Sequence, residues 1–388
     1  MTDSRRLAVV IGFTQTLAWA TTYYAPAVLI GPVSASMGVS STALLGGYSW
    51  SLLVAGLCSP RIGSLIDRAG GRGVLASGSV VMSAGLALMA ALPTLLGWYL
   101  AWTVIGAGMA LGLYDAAFAT IGRLLGGQAR SCIVGATLLA GFASTVGWPM
   151  GAWLIHLFGW RTTLLVYVAI QMLVNLPLIL TLIPRAPPLP PPVPGAGVAN
   201  IGGFPPGMRL AFWLLLIFFS VRQGISAVVS VHVLVLMQGI GLTAAAAVGV
   251  AALIGPSQVG GRVLEWVFAR WLNPVTTGWV GAALLPLGVV GLLFGGPAAG
   301  FAIAYGMSNG ILTISRGTLP LHLFGPAGYA TRLGKLALPQ LITQAISPTL
   351  FAPLIAAYPA ERILTGIGIL AFLVWLCLIP LARIRIRA

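Results

Sequence analysis

The chain has 388 residues, of which 59% are hydrophobic and only 6% charged. Soluble domains carry about a quarter of their residues as charges, so this composition excludes an ordinary water-soluble fold. Apolar stretches recur from end to end, which gives a multi-pass membrane protein. A formal net charge of +15 would point to nucleic acid in a soluble protein. Here the basic residues fall at the ends of apolar segments, so the expected partner is the lipid bilayer and no nucleic acid. The three cysteines, Cys58, Cys132 and Cys377, are too scattered for a structural disulfide or a metal site.

A membrane span needs about 20 apolar residues. The first predicted helix, 8–31, follows Arg5 and Arg6. Its beginning resembles a signal peptide, but similar segments follow throughout, so it reads as the first span. It carries Gln15, Trp19, Tyr23 and Tyr24 ahead of the helix breaker Pro26. Helices two and three are predicted at 43–62 and 74–95. The stretch between them, "GSLIDRAGGRGVL" (63–75), gathers an acid, two arginines and four glycines in an otherwise oily chain. Helix four, 98–121, holds Asp115 within "GLYDAAFATIGR". Helix five, 132–157, contains Gly141, Gly147, Trp148, Pro149 and Gly151, and helix six spans 162–183.

The segment "PRAPPLPPPVPGAGVANIGGFPPG" (184–207) cannot be helical, because its prolines lack donors and favour extended structure. A second set of six helices is predicted at 210–236, 243–263, 275–295, 298–319, 336–357 and 363–382. The domains expected are therefore an N-terminal six-helix bundle, 1–183, a cytoplasmic Pro/Gly-rich linker, 184–208, and a C-terminal six-helix bundle, 209–388.

Orientation follows from Lys and Arg in the short loops. One side collects Arg5, Arg6, Arg68, Arg72, Arg130, Arg185, Arg209, Arg270, Arg332, Lys335, Arg383, Arg385 and Arg387, and the other only Arg161 and Arg362. This asymmetry puts both termini in the cytoplasm of a cell inner (plasma) membrane protein. The halves also echo each other. "TIGR" (120–123) ends helix four and "TISR" (313–316) ends helix ten. "FGWR" (158–161) and "PAER" (359–362) occupy matching loops, and Arg61 with Asp67 matches Arg262 with Glu265.

The stretch at 63–75 resembles the signature G-x-x-x-D-R-x-G-R-[RK] of the major facilitator superfamily. Gly63, Asp67, Arg68, Gly70 and Arg72 match it, and Gly71 stands where the family has the first Arg of a pair. The resemblance covers the whole chain through helix count, central linker and repeat. It implies an all-α membrane fold of twelve transmembrane helices in two pseudo-symmetric six-helix bundles, working by alternating access as a monomeric secondary transporter. It also implies that the motif is a gate, a charge network between helices that stabilises the outward-open state. Helix five is similar to the Gly/Pro motif of antiporters in this superfamily, with Trp148 inserted between the Gly and the Pro.

Substrate chemistry is expected near mid-membrane, where ionisable groups are costly and functional by default. Arg222, in "FFSVRQGISAVVS", lies about thirteen residues into helix seven, near the bilayer centre at 1.5 Å per residue. A guanidinium keeps its charge and needs a carboxylate, water or an anionic substrate; Asp115 is the acid available for a structural pair. Asp115 takes and releases a proton, so it is the coupling candidate, with protons as the coupling ion. Arg316 lies beside Asn309, Thr313 and Ser315 ahead of an expected break at Gly317 and Pro320. Tyr23, Tyr24, Tyr305, Asn309 and Gln344 complete the candidate substrate-binding set.

No nucleophile–base set, metal cluster or phosphate loop is evident, so an enzyme is not expected and neither is a cofactor or a metal. The expected partner besides lipid is a small-molecule substrate. The function read from the sequence is secondary transport of a small organic anion, with proton coupling. The other reading is antiport or efflux of a drug-like or larger organic compound through an aromatic-rich cavity.

Overall fold

A computed structural model of the chain describes residues 2–187, 208–269 and 271–382. Most of the predicted linker (188–207) and the topology-setting residues Arg270, Arg383, Arg385 and Arg387 lie outside the described residues. The described residues contain no strand. The helices are α1 Thr2–Thr21, α2 Pro26–Met37, α3 Ser41–Ala69, α4 Gly71–Ala91, α5 Leu95–Gly112, α6 Tyr114–Leu125, α7 Ala129–Ala140, α8 Ala143–Ala169 and α9 Leu176–Leu182. They continue with α10 Arg209–Gly239, α11 Ala244–Phe268, α12 Pro274–Leu293, α13 Ala298–Phe324, α14 Tyr329–Ala357, α15 Ala360–Leu376 and α16 Ile379–Ala382.

These helices group into the twelve segments expected, several of them broken in the middle. The first is α1 with α2, the fourth is α5 with α6, and the fifth is α7 with the start of α8. Gly159 interrupts α8 at φ +75°, separating the fifth segment from the sixth. The sixth then passes through a π-helical turn, Ile170–Asn175, into α9. Among the described residues, eight helical stretches are long and apolar enough to cross a membrane, and one of them, Leu95–Leu182, runs through three segments. The remaining segments are the broken first one and α13, whose apolar run is diluted by Ser308, Asn309, Thr313, Ser315 and Arg316. The protein is a multi-pass membrane protein.

The chain forms two compact units. The first runs to Gly203 and also takes Gly325–Leu338; the second comprises Phe204–Phe324 and Pro339–Ala388. Within the first, α4 packs along α5 and α1 along α7, around fully buried Trp98, Trp102, Tyr167 and Phe118. Within the second, α13 lies between α11 and α12. Gly306 and Gly310 let α13 meet the backbone of α11, because a Cβ on either would run into the carbonyls of Ile254 and Gln258. Such small-residue contacts are how helices associate when lipid removes the hydrophobic drive between them.

Three expected boundaries change. The break in the first segment precedes Pro26: Thr22–Ala25 form the turn, and Pro26 opens α2, where its missing N–H is harmless. Asp67 and Arg68 are not in a loop but in the last turn of α3, which ends at Gly70 with φ +83°. Arg316 does not end a helix either. α13 continues through Gly317 and Pro320 to Phe324, because a helical proline removes one backbone bond and neighbouring helices hold the rest in place.

Candidate functional site

In the second unit, α10 presents Arg222, Ser226 and Ser230 at successive turns of one face. α13 presents Tyr305, Ser308 and Asn309 to the same place. The Arg222 side chain is only 5% exposed. Its Nη2 donates to Asn309 Oδ1 at 2.8 Å and to Ser308 Oγ at 3.1 Å. Ser308 Oγ in turn donates to the Gly281 carbonyl at 2.6 Å, which fixes its lone pairs toward the guanidinium. The guanidinium carbon also lies 5.7 Å from the Tyr305 ring centroid, within cation–π range. Tyr305 is held by its hydroxyl, which donates to the Ser226 carbonyl at 2.9 Å and lies 3.2 Å from the Ser226 and Ser230 hydroxyls.

Every group that accepts a hydrogen bond from Arg222 is neutral. Its Nε and Nη1 are buried without a hydrogen-bond partner. Neither acid of this unit, Glu265 or Glu361, bonds to it. An unpaired charge at the centre of a span costs about 2.5–3.5 kcal/mol on insertion scales. A planar fork with free donors is suited to bidentate capture of a carboxylate or phosphate.

Of the other predicted residues in this unit, Tyr305 and Asn309 therefore meet Arg222 directly. Arg316 lies two turns further along α13, half-buried, and does not bond to the cluster. Gln344 sits half-buried on α14 and does not bond to it either. Ser226 and Ser230 were missed; their signal was the four-residue spacing from Arg222.

In the first unit, the break between α1 and α2 displays Tyr23 and Tyr24 in an aromatic cluster. Trp19 meets Tyr23 at 4.5 Å and Tyr114 at 4.7 Å between ring centroids, with tilted planes. Tyr23 also meets Tyr48 at 5.8 Å, and Tyr24 meets Trp148 of α8 at 5.9 Å. Asp115 adjoins this cluster through Tyr114, but not from within a continuous helix as expected. The fourth segment breaks at Leu113, whose ψ of −167° is extended, and Asp115 falls in the first turn of α6. The helix dipole favours a carboxylate there, and Asp115 is half-buried. The break frees the Gly112 carbonyl, which accepts from Gln15 Nε2 at 2.7 Å, and Gln15 Oε1 accepts from Trp19 Nε1 at 3.2 Å. The glycines of helix five are close-packing sites: a Cβ on Gly147 would press on Ala20 at 3.0 Å, and one on Gly151 would meet Val28 at 2.9 Å.

The motif residues fall elsewhere in the first unit. Asp67, 6% exposed, accepts from the backbone N–H of Ala330 at 3.2 Å and of Thr331 at 2.7 Å, and from Thr331 Oγ1 at 2.7 Å. Its carboxylate thus caps the N-terminus of α14, where unpaired N–H groups and the helix dipole favour an anion. Gly63 allows this approach, since a Cβ there would collide with the Ala330 carbonyl. Gly70 leaves room for Ala186. Arg68 is exposed and Arg72 half-exposed. The basic side chain buried near Asp67 is instead Arg332, which donates to the carbonyls of Gly325 and Ala327. α14 begins at Tyr329, seven residues before the predicted start, after Gly325 and Gly328 at positive φ.

No protein-family model matches the chain, and no curated protein sequence does. Solved structures do resemble it. The human organic anion transporter MFSD10 (TETRAN) is 15% identical with a TM-score of 0.74, over 97% of this chain and 99% of that one. FucP, a major facilitator superfamily transporter in the outward conformation, is 15% identical with a TM-score of 0.69, over 98% and 99%. The proton:xylose symporter XylE, bound to 6-bromo-6-deoxy-D-glucose, is 14% identical with a TM-score of 0.64, over 97% and 93%. The chain has the major facilitator superfamily fold of twelve transmembrane helices.

Proposed function

We propose that this chain, built on the major facilitator fold, is a monomeric secondary transporter that moves a small organic anion by alternating access. The observation that carries the reading is the guanidinium of Arg222. It is buried, held only by neutral groups and left with Nε and Nη1 unpartnered. An anionic substrate supplies the missing charge, and Ser308, Asn309 and Tyr305 position the fork that receives it. One of the structural neighbours is an organic anion transporter, which agrees with this reading at the level of fold. Arg316 and Gln344 complete the polar path beyond the cluster.

Asp115 is the proton-coupling group in this proposal, as the one acid of the first unit that lies beside the aromatic cluster, through Tyr114. Asp67 and its motif partners act as the gate in this proposal, with Asp67 making the capping bonds on α14. The halves 1–183 and 209–388 work as the two bundles joined by the linker 184–208. The protein sits in a cell inner membrane with both termini in the cytoplasm.

A second reading, efflux of drug-like aromatic compounds, is favoured by the cluster of Trp19, Tyr23, Tyr24, Tyr114 and Trp148. A thermal-shift screen of the purified protein separates the two, since ligands of the native state raise its apparent stability. Stabilisation by carboxylates and phosphates, and not by their neutral amide or ester analogues, supports the anion reading. Stabilisation by uncharged or cationic aromatics alone supports efflux.

A further inference from the structure

A cavity of about 330 Å³ lies within the second unit, between α10, α14 and α15. This is within the usual range for ligand pockets. It is separate from the Arg222 cluster: Val221, Gly224, Ile225 and Val228 line it from a face of α10 turned about a third of a turn away from Arg222. Its walls are mostly apolar, with Phe351 and Leu354 from α14 and Ile367 and Leu370 from α15, and the hydroxyl-bearing Ser220, Thr343 and Ser347 lie among them. Thr343 does not offer its hydroxyl to the space, because it donates to the Ser220 carbonyl at 2.8 Å.

One charged side chain lines the cavity, Arg362, exposed at the first turn of α15. Between Arg362 and Leu370 the slot runs along about 12 Å of helix at 1.5 Å per residue. The outer surface of the same helix is oily: Ile369, Phe372 and Leu373 are 56%, 45% and 53% exposed. The slot therefore adjoins the lipid-facing surface. Gly366 lines it as well, and a Cβ there would meet nothing within 4 Å.

We propose that this slot is a binding site for an anionic membrane phospholipid. One acyl chain enters between α10, α14 and α15, and the headgroup phosphate rests on Arg362. A long apolar slot with a single cation at its mouth matches an amphiphile with one charged end. Bilayer lipid is the amphiphile that has direct access from the oily side. The site goes beyond the transport reading and stands without it.

The test is photolabelling of the purified full chain with phosphatidylglycerol carrying a diazirine near the end of one acyl chain, followed by peptide mapping. The expected label falls on 221–228 and 363–370 and exceeds that from the matching phosphatidylcholine probe. Gly366→Leu puts a side chain into the slot from a position where a Cβ meets nothing within 4 Å, and it is expected to abolish the label while the melting temperature holds. Arg362→Gln removes the preference for phosphatidylglycerol. Unchanged labelling in a folded Gly366→Leu protein overturns the proposal, as does equal labelling of the wild type by phosphatidylcholine. Displacement of the label by an organic anion that the protein transports also overturns it, by assigning the slot to the substrate.

Discussion

The carboxylate of Asp67, in the last turn of α3, accepts the backbone N–H of Thr331 at 2.7 Å, across 264 residues of sequence. With the Ala330 N–H and the Thr331 hydroxyl it ties the start of α14 to α3. Hydrogen bonds to a charged group contribute about 1.5–3 kcal/mol each when the partner is buried. Asp67→Ala is expected to speed amide exchange at 330–334 more than at any other helix start, with the overall helix content retained. Asp67→Asn is expected to give a smaller effect, since it keeps an acceptor and loses the charge. Exchange at 330–334 that matches the wild type in both variants removes Asp67 as the tie.

Gln15 joins the broken first and fourth segments of the first unit, with Nε2 on the Gly112 carbonyl and Oε1 on Trp19. Gln15→Leu leaves the buried Gly112 carbonyl unsatisfied, at a cost of about 1–3 kcal/mol, and removes the acceptor of the half-buried Trp19 indole. A lowered melting temperature and altered tryptophan fluorescence are the expected outcome. An unchanged melting temperature contradicts the bridging role.

The helices were legible in the sequence because each needs a long apolar run, and the composition supplies little else. The breaks were less legible. Pro26 signalled one, but the turn forms before it, at Thr22–Ala25. Leu113 breaks the fourth segment with no proline at all. Gly317 and Pro320 suggested a break that α13 does not make. Arg222 stood out as a charge in an oily run, and Ser226 and Asn309 lie where helical spacing brings them. The partner of Asp67 was out of reach, since a contact 264 residues away leaves no local pattern. The stretch at 63–75 advertised its arginines, whereas the bond its acid makes is to the backbone of another helix.

Asn309 accepts from Arg222 at 2.8 Å through a neutral oxygen. Asn309→Asp places a carboxylate there at almost unchanged volume. The guanidinium then has an internal counter-ion, so the variant is expected to be as stable as the wild type or more so and to bind anions far less well. Wild-type affinity for the anion in Asn309→Asp indicates that the charge on Arg222 is not what the substrate meets.

Asp115 is proposed to carry the proton. Asp115→Asn is expected to abolish uphill accumulation driven by a pH gradient in proteoliposomes, while counterflow exchange of substrate continues. Accumulation that still follows the imposed gradient excludes Asp115 from coupling.

The central claim is that Arg222 meets an anionic substrate, and the direct measurement is the affinity for that anion, with the melting temperature read in parallel, in wild type, Arg222→Lys and Arg222→Gln. Lys keeps the charge but loses the fork, so its affinity is expected to fall by about tenfold, or 1.4 kcal/mol. Gln removes the charge and is expected to abolish binding in a protein that melts no lower than the wild type, because a costly buried charge is gone. Wild-type affinity in a folded Arg222→Gln protein would contradict the account.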